Sequence, residues 1–111
     1  MKTIFSFLIL SFLSLLASPL SAQDISIRGK VIEAETSEPL EFANIALLSV
    51  GDSALITGAM SELDGTFTFT TSPGDYILRV GFIGFESRFK NISLGDKDKV
   101  NVGNVRLRKD A

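Results

Sequence analysis

The sequence predicts an all-β fold, a sandwich of about seven antiparallel strands made behind a cleaved signal peptide. Three observations predict it. An apolar segment interrupted by Pro19 fills the first 22 positions, and from Ile25 onward apolar and polar residues alternate in short runs. Those runs are broken by Gly, Pro, Asn, Asp and Ser every eight to twelve positions or so, the spacing of short strands joined by turns.

The first segment reads as an address. Lys2 supplies a positive start, and Ile4 to Leu16 forms a nearly continuous apolar run of 13 residues. That is the length of a signal-peptide apolar region and falls short of the roughly 20 residues a helix needs to span hydrocarbon. Pro19 breaks the run, and small residues follow at Ser21 and Ala22. We place the cut after Ala22, with Ala17 as the alternative because Leu20 is large for its position. Residues 23–111 then form one small domain of 89 residues, too small for a second core or a sizeable cleft.

Charge and composition narrow the function. Of the 11 Lys and Arg residues only Lys2 lies in the leader, leaving 10 against 13 Asp and Glu. A mildly acidic domain lacks the basic footprint that binding a phosphate backbone requires, which sets nucleic acid aside. The chain has no Cys, so it carries no disulfide, no thiolate metal site and no cysteine for lipid attachment. Its nine Phe residues supply core surface in place of covalent staples.

The strands follow in order. In Ile25-Ser26-Ile27-Arg28-Gly29-Lys30-Val31 the odd positions face the core and the even ones face water. Glu33 to Pro39 is a polar loop, and Phe42 to Ser49 a second, more fully buried strand. After the turn at 50–53, Ala54 to Ser61 is the third, and Asp64-Gly65 is a turn that supplies positive φ. Thr66-Phe67-Thr68-Phe69-Thr70 alternates without exception, so a slip of one residue exposes both rings. Pro73-Gly74 turns the chain into Tyr76 to Val80, with Tyr76 assigned to the core. Gly81 and Gly84 bracket Phe82-Ile83 and mark a bend. Phe85 to Ser93 and Val100 to Arg108 are the last strands, joined by the charged turn at 95–99.

Catalysis finds little to work with, and no catalytic residue is assigned. With neither His nor Cys there is no Ser-His-Asp or Cys-His unit and no imidazole metal site. Glu33, Glu35, Glu38 and Glu41 lie in or beside one loop, where a solvated acidic surface is the simpler reading than an acid and base pair. Glu62 and Asp64 lack the further oxygen ligands and closing Glu of a calcium loop, so turn chemistry explains them and no metal or cofactor is expected. Lys97, Lys99, Arg106 and Arg108 read as guards on exposed strands.

Five pieces then fall in order: Gly29-Lys30-Val31; Glu38-Pro39-Leu40-Glu41-Phe42-Ala43-Asn44-Ile45; Ser61-Glu62-Leu63-Asp64-Gly65-Thr66-Phe67; Pro73-Gly74-Asp75-Tyr76-Ile77-Leu78; and Val80-Gly81-Phe82-Ile83-Gly84-Phe85-Glu86. The series resembles the carboxypeptidase regulatory-like domain, a prealbumin-like, immunoglobulin-like sandwich. The form it resembles stands at the N-terminus of TonB-dependent outer-membrane receptors of Bacteroidetes-type bacteria. The resemblance implies an exported protein, periplasmic or outer-membrane associated, in an accessory or interaction role. It is compatible with a free-standing domain and with a truncated receptor.

Related hydrolases of prealbumin-like fold rely on histidines, which this chain lacks. Related surface sandwiches form a Lys-Asn isopeptide bond, for which Lys30 with Asn101 or Asn104 is the matching set; alternation points Lys30 away from the buried acid that reaction needs. Phe82 and Phe85 are the candidate partner contact, with an envelope protein as the expected partner. A glycan is the alternative, disfavoured by the lack of Trp and the single Tyr. Mass spectrometry of the processed protein is expected to give a chain beginning at Gln23; an intact Met1 overturns the cleaved leader.

Overall fold

The computed structural model describes residues 24–110, and the proposed leader lies outside them. The described residues form seven strands and no helix: β1 (Ile25–Glu33), β2 (Asn44–Ser49), β3 (Leu55–Met60), β4 (Thr66–Thr71), β5 (Gly74–Gly81), β6 (Arg88–Leu94) and β7 (Lys99–Leu107). They make two facing sheets, one of order β4-β1-β7 and one of order β3-β2-β5-β6. This is the expected sandwich, with one difference in direction. β1 and β7 run parallel, while the other pairings are antiparallel. A parallel neighbour demands a long crossover, and here the crossover is everything between the first strand and the last.

Alternation places the core as the sequence implies. Ile25, Ile27, Val31, Ile45, Leu47, Leu78 and Val80 are almost fully buried between the sheets, with Phe67 and Phe69 stacked among them at 6.2 Å between ring centres. Their partners in the alternation, Arg28, Thr68, Thr70 and Arg79, are exposed.

Gly29 also belongs to the core face, and it is buried because two side chains lie where its own would be. A Cβ at Gly29 would stand 2.5 Å from Phe67 Cζ and 2.6 Å from Val102 Cγ2. Val102 reaches that place through a bulge. Arg28 pairs with Asn101 but Gly29 with Gly103, so Val102 is the extra residue. Gly103 takes φ 78°, and its N–H donates to Asn101 Oδ1 at 2.8 Å.

Several boundaries move from expectation, each for a local reason. The second strand begins at Asn44, and Phe42 lies before it at φ 62° and 64% exposed. Ser61 explains this. Its buried Oγ accepts from Ala43 N at 2.8 Å and donates to Leu40 O at 2.5 Å, while Phe42 N donates to Ser61 O at 3.0 Å. Those bonds fold residues 40–43 tightly around Ser61, and the Phe42 ring is turned outward.

Glu33, expected to open the loop, ends β1 instead, where its carboxylate accepts from Thr36 Oγ1 and pairs with Lys109 Nζ at 3.6 Å. The sixth strand starts at Arg88 because Phe82 to Phe85 closes as a turn, Phe85 N to Phe82 O at 3.0 Å with Gly84 at φ 87°. Tyr76 is only half-buried, and its hydroxyl donates to Ser72 O at 2.8 Å.

Urea unfolding tests this account. Phe67→Ala is expected to cost about 3–5 kcal/mol, and Gly29→Val about 1–3 kcal/mol or more through overpacking. Ser61→Ala is expected to cost about 1–3 kcal/mol by leaving the Ala43 N–H unsatisfied. The exposed Thr68→Ala should stay within about 0.5 kcal/mol.

Candidate functional site

The outward face of the four-stranded sheet is built from β2 and its neighbours. Register aligns Met60, Asn44 and Gly81 in one row and Gly58, Ala46, Arg79 and Phe89 in the next. Gly58 and Gly81 bring no side chain, so the sheet sinks between larger neighbours. One groove of about 660 Å³ is lined by Phe42, Met60, Phe82, Ile83 and Arg79 among others. A second of about 330 Å³ continues past Gly58 to Leu55, and the two share Asn44, Met60 and Arg79. The rim is apolar and exposed: Phe42 64%, Met60 60%, Leu55 68% and Ile83 95%. Arg79 is the single ionisable side chain lining either groove.

The two aromatic residues singled out from sequence meet edge to face at 5.5 Å, with 64° between ring planes, and both are half-buried against the core. Phe82 lines the groove and Phe85 does not; Phe85 instead bridges to Lys109. Sequence reasoning missed Phe42, Met60 and Ile83. Ile83 had a readable signal, since a residue between Phe82 and Gly84 in a glycine-bracketed bend is carried to the tip. Phe42 had none, because its exposure follows from Ser61, distant in sequence.

The other candidates resolve into local structure. Asp64 Oδ1 accepts from Thr66 N at 3.1 Å and Thr66 Oγ1 at 2.6 Å, which makes it a turn residue. Among the described residues no group of three or more His, Cys, Asp or Glu is placed to hold a metal ion. Lys30 and Asn104 are direct partners across the parallel β1 and β7 pair, closer than sequence suggested. Asn104 is exposed and Lys30 half-exposed, and the ammonium of Lys30 contributes, after the Thr66 hydrogen bonds, to holding the solvated Asp64 carboxyl below its ordinary value. That setting lacks the buried acid an isopeptide reaction needs.

A third cleft, about 340 Å³, opens between the edges of β6 and β7 and is lined by Arg88, Lys90 and Arg106 over Leu78 and Val80. Lys90 Nζ closes part of it by donating to Val102 O at 3.2 Å.

Comparison with known proteins now places the chain. Residues 27–111 match the family model of the CarboxypepD_reg-like domain, so the chain belongs to that family. The family is defined by a regulatory-like, non-catalytic β-sandwich domain. No curated protein matches the chain.

Among solved structures it is similar to the pilus 2b backbone protein of group B streptococcus: 22% identity and TM-score 0.60, over 78% of this chain and 41% of that one. It is also similar to BcpA, the major pilin subunit of Bacillus cereus, at 10% identity and TM-score 0.66 over 79% and 31%. The 3-chlorocatechol 1,2-dioxygenase of Rhodococcus opacus 1CP aligns at 11% identity and TM-score 0.58 over 80% and 60%. These likenesses show a shared fold, and the chain spans less than two thirds of each of those proteins.

Two turn carboxylates titrate below their ordinary 3.8: Asp52 through the Ser49 hydroxyl and then the Ala54 N–H, and Asp64 through the Thr66 hydroxyl and then its N–H. A lowered folded value means this stabilisation is complete above 3.8 and is lost as pH falls through the folded value. An NMR titration is expected to show Asp64 below 3.8 and Thr66→Val moving it upward; an Asp64 midpoint at 3.8 in the unaltered protein counts against the turn geometry.

Proposed function

We propose that this chain is an exported, non-catalytic interaction domain of the cell envelope, acting beside a TonB-dependent outer-membrane receptor or as the N-terminal piece of one. Family membership supports a regulatory-like sandwich, and the five sequence pieces support the receptor-associated form. One observation carries the interaction role. Phe42, Met60 and Ile83 stand exposed around a glycine-floored groove on the outside of a sheet whose own core is already filled.

Leaving such a rim in water gains the isolated domain nothing, whereas covering it stabilises a complex by roughly 25 cal/mol per Å² of apolar surface removed. The occupant we assign is an apolar segment of the receptor's periplasmic side. Arg79 at the groove wall favours a segment that also carries a carboxylate. The glycan reading has no comparable support, since the chain has no Trp and the Tyr76 hydroxyl is held by Ser72 O.

A photo-crosslinker at position 83, activated in intact cells, tests the assignment. It is expected to capture a receptor barrel or its periplasmic component, identified by mass spectrometry, and Phe42→Asp should abolish the product. Deletion of the gene is expected to reduce uptake of the nutrient that receptor carries. Unchanged uptake, or a crosslink insensitive to Phe42→Asp, overturns the proposal.

A further inference from the structure

Each sheet of the sandwich ends in two edges, and the four edges are not alike. β6 carries Arg88 and Lys90, and β7 carries Lys99 and Arg106, charges that oppose pairing with another strand. β4 shows water mainly Thr68 and Thr70, with both Phe rings turned inward. β3 differs from all of these. Leu-Ile-Thr-Gly-Ala-Met, like β4, contains no charge and no Pro and pairs with one strand only, but it shows water apolar side chains where β4 shows Thr. Leu55 is 68%, Ile56 49% and Met60 60% exposed, so three of the eight large apolar side chains exposed among the described residues sit on this six-residue edge.

We infer that β3 is the site at which a second copy of this chain adds its own β3, antiparallel, joining two four-stranded sheets into one of eight. The pairing is self-complementary. With the two-fold axis at Gly58, Gly58 meets its counterpart with no side chain to clash, Thr57 faces Ala59, and Met60 faces Ile56. The faces agree. Gly58 and Met60 share the outward face with Asn44 and Ala46, and the bulge between Leu47 and Leu48 leaves Ile56 as the extra residue beside Leu55 on the Leu48 side.

No charged residue meets a like charge anywhere along this strand pair, whereas self-pairing of β6 would crowd Arg88 and Lys90 against their counterparts. Because each copy has a single edge that is both uncharged and apolar, the pairing closes at two chains and does not propagate. Met60 also lines the groove proposed above for the envelope partner, but the strand pairing concerns the sheet edge and is read out by mass in solution with no envelope partner present.

Sedimentation of the protein purified from its producing cells tests it. At about 100 µM, where any interface with a micromolar Kd is populated, the protein is expected to sediment as a dimer. The doubly substituted Ile56→Lys/Met60→Lys protein opposes Lys to Lys at both ends and should weaken dimerisation by about tenfold or more while its circular dichroism spectrum still shows the folded sandwich. Separately, Ile56→Lys and Met60→Glu each weaken self-association, and mixing the two should restore a heterodimer through one Lys to Glu pair. A monomer at about 100 µM, or a dimer indifferent to the double substitution, overturns the inference.

Discussion

The packing of Phe67 and Val102 over the bare backbone of Gly29 is the contact on which the sandwich depends. β1 lies at the centre of its sheet, and Gly29 lies at the centre of β1. A side chain there would collide with a ring from β4 on one flank and a branched residue from β7 on the other. Its absence lets both neighbours reach inward at the same level. The bulge in β7 serves the same contact, because without the extra residue Val102 would not be brought over Gly29. A parallel last strand thus becomes part of the core instead of a loose cover.

The two outer surfaces of the sandwich have opposite characters, which follow from the same alternation. Outside the three-stranded sheet, register sets Thr68 beside Arg28 and Asn101, and Thr66 beside Lys30 and Asn104. That surface is polar throughout and satisfied by water. Outside the four-stranded sheet, Leu55, Ile56, Met60 and Phe89 stand exposed beside Asn44 and Arg79, with Gly58 and Gly81 between. A sheet packed on one face and wet on the other is expected to be polar outside. The grooves and the β3 edge, where the proposed contacts with other molecules lie, are both on this face.

Likeness of fold carries little about activity. Similar sandwiches occur within pilin subunits and within a dioxygenase, and at such low identity they share architecture alone. The proposed interaction role rests on exposed side chains of this chain, and the proposed receptor setting on the family and on the order of five short sequence pieces.

Period-two alternation made most strands legible before any coordinates, because a side chain's face is fixed by its parity once the strand is extended. Thr66 to Thr70 and Ile25 to Val31 are placed as read. The turn at Asp64-Gly65 was legible for a similar reason, since its residue types have few alternatives, whereas at Pro73 the chain only bends and Gly74, expected in the turn, already opens β5. What the sequence could not supply were contacts between residues far apart in the chain. Ser61 turning Phe42 outward, β7 lying parallel to β1, and Gly81 falling in one row with Asn44 and Met60 are long-range events. Local preference decides which residues point the same way, and only the packing of one sheet on the other decides which of those directions ends in water.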